Sequence, residues 1–278
     1  MKIAKTALWL AVPAAMLVLV ASAAGLVLKS TYARETPTYA LQGIGQDIEN
    51  IVAALTLLVM SYLVASGWFK AHLIWAGALL ALIYSYAIYA FAVHFNGLFL
   101  VYVAILGLSF YALVASLISL PRDRPLPAFA SLAITRTISG FLLLVALFFA
   151  LQWLREDIPA LLSGSVPASV KESGLLTNPV HVLDLSFVLP AMIITAILLW
   201  RRQPLGALFA VPLLVFSFFT VLGILAIFVV TNLRGPASAV GGEMVFGAFA
   251  LVCLLLTVIA VHDMRVPSRS GSHATHRK

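Results

Sequence analysis

Charge is scarce in this chain of 278 residues. Only 10% of the positions are Asp, Glu, Lys or Arg, and 63% are hydrophobic. Soluble domains carry about a quarter charged residues, so this sequence cannot cover a water-facing surface. There is a single cysteine, Cys253, which excludes an internal disulfide and a dithiol redox pair. Inside an apolar run it reads as a small buried side chain. No glycine-rich phosphate loop and no soluble domain are present. No histidine pair has the HxxxH spacing of a helical zinc site. The basic excess of +7 does not gather into a stripe with interleaved aromatics, so nucleic acid is not an expected partner.

What the sequence has is long apolar runs. A bilayer core of about 30 Å needs roughly 20 such residues per helix. Eight candidates fall at about 7–28, 50–69, 72–93, 97–120, 136–154, 180–200, 205–231 and 243–262. The runs lack the period-2 alternation of a membrane barrel. The expected fold is an all-α integral membrane bundle of about eight transmembrane helices. Residues 1–262 form one domain, and 263–278 a disordered basic cytoplasmic tail. Twelve of the 17 Lys and Arg residues lie on one side of this map and five on the other, which puts both termini in the cytoplasm. The start, "MKIAKTALWLAVPAAMLVLVASAAG", also has the layout of a cleavable signal. Its apolar run is long for that role, so a retained span is expected; cleavage would leave seven.

The polar residues that remain are one-sided. "NPVHVLDLSFVLP" starts the sixth span. Asn178 is a good helix cap and Pro179 suits the first helical position. His181 and Asp184 then share a face, and Pro190 should bend the helix and open space beneath Asp184. "GIGQDIEN" puts Gln46, Asp47 and Asn50 on one face at the outer start of span two, and span three ends near His94 and Asn96. A charged group at membrane depth is costly, so Asp47, His94, His181 and Asp184 are expected to meet in one cavity open to the outer side. Asn50, Asn96 and Asn178 would orient them, and the outer loop from Arg155 to Asn178 would cover them. In that loop "EDIPALLSG" is expected as a short interfacial helix and "SGSVPASVKESG" as a flexible strap.

The expected function is binding of a small or lipid-like ligand in that pocket. Alternatives are a membrane-embedded hydrolase or transferase with His181 and Asp184 as an acid/base pair, a transporter, and a structural or assembly partner. Asp47, His94, His181 and Asp184 are also acceptable ligands for a divalent metal. The bilayer is the one assured partner.

Two stretches, "YAIYAFAVHFNGLFLVYVAILGLSFYALV" and "NPVHVLDLSFVLPAMIITAILLWRRQPLG", resemble a family of uncharacterised bacterial multi-spanning membrane proteins. The likeness covers spans two to seven and includes "GIGQDIEN". It implies a bacterial inner-membrane setting and no particular mechanism.

Overall fold

The computed structural model describes residues 5–120, 126–234 and 241–265. It is an all-α bundle in which eight helices are long and apolar enough to cross a membrane. They are α1 (Lys5–Val27), α2 (Pro37–Ala65), α3 (Phe69–Ala92), α4 (Phe99–Ile118), α5 (Leu132–Ser163), the sixth span at Pro179–Trp200, α9 (Pro204–Arg234) and α10 (Gly242–Asp263). The sixth span is composite: α7 (Pro179–Leu183), a π-helical turn (Asp184–Val188) and α8 (Leu189–Trp200). The short α6 (Ala168–Ser173) lies between α5 and this span.

The chain packs as two joined groups. Helices α1 to α4 form a square in which α1 touches α2 and α4, and α3 touches the same two. Helix α9 lies against α2 and α3 on one side and α8 and α10 on the other, while α5 packs on α8. Small side chains make the close approaches. The buried face of α1 is Ala7, Ala11, Ala14, Ala15, Val18, Ala21, Ser22 and Gly25. Small interfaces of this kind let membrane helices gain dispersion contact without a hydrophobic driving force. The large apolar side chains point the other way: Trp9, Phe91, Leu144 and Leu151 are exposed, as lipid contact requires.

Two expected boundaries move. Span two does not start near residue 50. Thr36 caps α2 by accepting from the Tyr39 amide, and Pro37 occupies the first turn, so the helix begins about three turns earlier. Asp47 and Glu49 are therefore roughly 15 and 18 Å along the helix at 1.5 Å per residue, well past its mouth. Asp184 stands only about 7 Å into its span and is not the most deeply placed acid. Likewise "EDIPALLSG" is no separate helix: α5 runs through Pro159 to Ser163 and stops at Gly164, whose backbone is left-handed.

At the opposite end of the bundle, Ala128–Phe129 pairs antiparallel with Met264–Arg265. Asp263 reinforces this by accepting from the Ser131 amide at 2.9 Å. The expected tail thus has its first residues in this pairing; residues 266–278 lie outside the described residues.

Candidate functional site

A cavity of about 210 Å³ opens at the end of the bundle that carries loop 28–36 and α6. Its walls come from α2, α3, α9, the start of the sixth span and Trp153 of α5, with Tyr32 from the loop. The strap between α5 and the sixth span closes over it through Ser169, Val170, Ser173 and Leu175. This strap is ordered by hydrogen bonds. The Thr36 hydroxyl donates to the Glu172 carbonyl at 3.0 Å, and the Ser169 amide donates to Glu156 at 2.8 Å. Asn178 both caps α7, accepting from the Val180 and His181 amides, and donates to the Ser169 hydroxyl at 3.2 Å. It is the one predicted site residue that lines the cavity.

Asp47 sits behind the α2 wall. Its carboxylate accepts from the Tyr32 hydroxyl at 2.6 Å and the Tyr89 hydroxyl at 3.1 Å. The space it fills exists because residue 25 is glycine: a Cβ there would lie 1.8 Å from Asp47 Oδ2. Burial and the adjacent Asp47 carboxylate hold the Tyr32 hydroxyl far above its usual pKa, so it remains a donor. Tyr86, Tyr89 and Tyr102 pack in tilted and edge-to-face contacts as one aromatic group beside this carboxylate. The Tyr86 and Tyr102 hydroxyls have no partner among the described residues.

Gln46, the residue before Asp47, lines the cavity and donates from its amide to both Glu49 and Ser85. Glu49 is only 1% exposed, and its Oε1 has no partner among the described residues. Asn50 is fully buried with both amide atoms unpartnered, inside the bundle and not in the cavity lining.

Asp184 sits behind the opposite wall. It accepts from Trp153 Nε1 at 2.8 Å and from the Tyr84 hydroxyl at 3.0 Å. His181 does not pair with Asp184. Its Nδ1 lies 3.0 Å from Asp157 Oδ1, and its ring stacks on Trp153 with centroids 4.4 Å apart. The acid/base pair expected of His181 and Asp184 is therefore replaced by His181 with Asp157, because α5 extends far enough to bring Asp157 beside it.

His94 stands apart. Its side chain is 46% exposed and its Nδ1 lies 2.9 Å from Glu35 Oε2. With Arg34 donating to the Phe95 carbonyl and Asn96 donating to the Thr31 carbonyl, this pair ties loop 28–36 to loop 93–98. Asn96 also accepts from the Leu98 amide. Both residues tie these loops together, and His94 also lines a second opening beside the cavity. The four ionisable residues expected in one cavity thus make four separate attachments, and none of them lines the cavity. Among the hydrogen-bond partners of Asp47 and Asp184, Tyr32, Tyr89 and Trp153 do. Among the described residues no three His, Cys, Asp or Glu side chains are grouped to hold a metal ion.

Glu35 and Asp157 had no sequence signal that distinguished them from loop charges. Tyr89, a tyrosine at a span end, has the position of an interfacial aromatic belt, where such residues ordinarily sit, and Trp153 carries no motif of its own. No family model, curated protein or solved structure matches the chain.

Proposed function

We propose that this multi-pass membrane protein binds a small or lipid-like ligand in the strap-covered cavity. The observation that carries the reading is the lining itself. It combines apolar walls with a few convergent polar groups, the usual composition of a ligand site. One of these, Tyr39, is nine-tenths buried with a hydroxyl that has no partner among the described residues. A second opening shares Val93, Leu175 and Pro179 with the cavity and continues to Phe91 and Val182, which are exposed on the apolar surface. A headgroup in the cavity could thus keep its chain in the bilayer. The Lys/Arg bias supports an outer position for this end of the bundle, and the resemblance of its two stretches supports a bacterial inner-membrane setting.

Native mass spectrometry of the purified protein tests the reading. A bound small molecule or lipid is expected, and Val170→Trp should remove it while the thermal midpoint of the delipidated protein stays unchanged. The same bound species in both proteins would overturn the assignment. For orientation, single cysteines at Ser165 and Ser268 in a Cys253→Ala background should label from opposite sides; labelling from one side would overturn it.

A membrane-embedded hydrolase or transferase is the second reading. It draws on the Asp157–His181 pair, since a carboxylate that orients an imidazole is the arrangement of a general base. Under this reading a bound ester or amide is cleaved on incubation and survives in His181→Gln.

A further inference from the structure

Asp47, Glu49 and Asp184 are buried, and the Glu35 side chain, also covered, differs from them in being paired with His94. Each of the first three is hydrogen-bonded to a side chain that lines the cavity, through Tyr32 and Tyr89, through Gln46, and through Trp153 respectively. The three therefore surround one space from two walls, each one hydrogen bond behind its surface. All these donors are neutral. The ion pairs found among the described residues are His94–Glu35 and His181–Asp157, and neither involves these acids. Among the described residues the cavity lining contains no Lys or Arg.

Neutral donors orient a carboxylate but do not cancel its charge, and in a low-dielectric interior such a group takes up a proton unless a cation approaches and favours the ionised form. A cation in the cavity would compensate all three at once. The lining also supplies what an organic cation prefers. Tyr32, Tyr39, Tyr89 and Trp153 present aromatic rings around the space, and the negative faces of such rings attract ammonium groups, most strongly when water is excluded. The unpartnered Tyr39 hydroxyl and Glu49 Oε1 leave acceptor capacity unused. A bare metal ion needs several oxygen ligands gathered at short range, and that grouping is absent among the described residues.

We propose that the cavity takes a small organic ammonium group, either as a free amine or quaternary ammonium compound or as the headgroup of a lipid. This deepens the reading given under Proposed function and rests on it.

Calorimetry in dodecyl maltoside, a neutral detergent, tests the charge directly with choline and its uncharged carbon isostere, neopentyl carbinol. Choline is expected to bind at least about tenfold tighter than the isostere, because only the cation gains from the acids and ring faces. Asp47→Asn and Glu49→Gln remove charge at nearly constant shape. Each should weaken choline by about tenfold and leave the isostere unchanged. Asp184→Asn, on the other wall, serves if an α2 variant fails to fold. Absence of choline binding overturns the inference. Equal binding of choline and isostere, or choline binding unchanged in the folded variants, overturns it and leaves the pocket reading standing. Loss of the co-purified species as a candidate ligand, through its persistence in Val170→Trp, overturns the pocket reading instead. A chemically stable ammonium lipid as the co-purified species, lost in Val170→Trp, marks the headgroup source; choline binding without such a lipid marks the free compound.

Discussion

On the α2 side of the cavity, Asp47 is enclosed by close helix packing. The glycine at residue 25 lets the carboxylate rest against the α1 backbone, and Gly45 brings α2 into contact with the backbone of α9 at Ile227. On the opposite side, Asp184 is held by two long aromatic arms, Tyr84 from α3 and Trp153 from α5, across a π-helical turn. The first wall is fixed by backbone proximity and the second by side-chain reach. Movement that admits a ligand should therefore involve the second wall and the strap attached to it, with α1 to α4 as the stationary partner.

The strongest way to break this contrast is Gly45→Ala. The new Cβ would lie 2.5 Å from Ile227 Cα, so two helices must separate; overpacking against backbone should cost about 3 kcal/mol or more. Thermal unfolding in detergent reads this, and an unchanged midpoint would mean that α2 and α9 are not tightly apposed. Next is Asp184→Ala, which strands the Trp153 N–H and the Tyr84 hydroxyl; about 2–4 kcal/mol is expected. Asp184→Asn keeps one acceptor and should lose less. Equal, wild-type-like melting of both variants would remove the second wall from the comparison. Thr36→Val cuts the tether to the Glu172 carbonyl and also removes the cap of α2; it should cost about 1–3 kcal/mol, with faster amide exchange in the strap and the first turn of α2 only. Uniform exchange would show that the strap is held elsewhere. Smallest is Gly107→Ala in α4, where nothing beyond the helix's own backbone lies within 4 Å of the new methyl group among the described residues; a stabilisation of no more than about 1 kcal/mol is expected.

The contrast also explains what could be read from the sequence. The bundle and its eight spans follow from hydropathy and length, since only helices and closed barrels satisfy a backbone in lipid and the runs lack a barrel's alternation. The start of α2 did not follow, although Thr36-Pro37 carries the same cap-and-proline signature as Asn178-Pro179. The polar run from Gln42 to Asn50 obscured it, because buried polar residues lower the local hydropathy that marks a span. At the site, the sequence pointed to the acids and not to the surface in front of them. Asp47 and Asp184 stand out against an apolar background, whereas Tyr32 and Trp153 become significant only through hydrogen bonds to residues 15 and 31 positions away. His94 was misplaced for the converse reason: its partner Glu35 is 59 positions distant in a loop of unremarkable composition.

The π-helical turn has one more consequence. The Leu189 amide reaches back five residues to the Asp184 carbonyl, so the turn accommodates one residue beyond a regular α-helix. Each residue advances an α-helix by about 100°, so the extra one acts as a phase slip between two otherwise periodic segments. Upstream of it, His181 and Asp184 keep the phase that serves Asp157 and Trp153; downstream, Met192, Ala196 and Leu199 keep the phase that buries them in the core. Deleting Leu185 would merge the two into one wave. Core packing of the longer segment would then set the angle, and Asp184 would swing about a quarter-turn from its two donors.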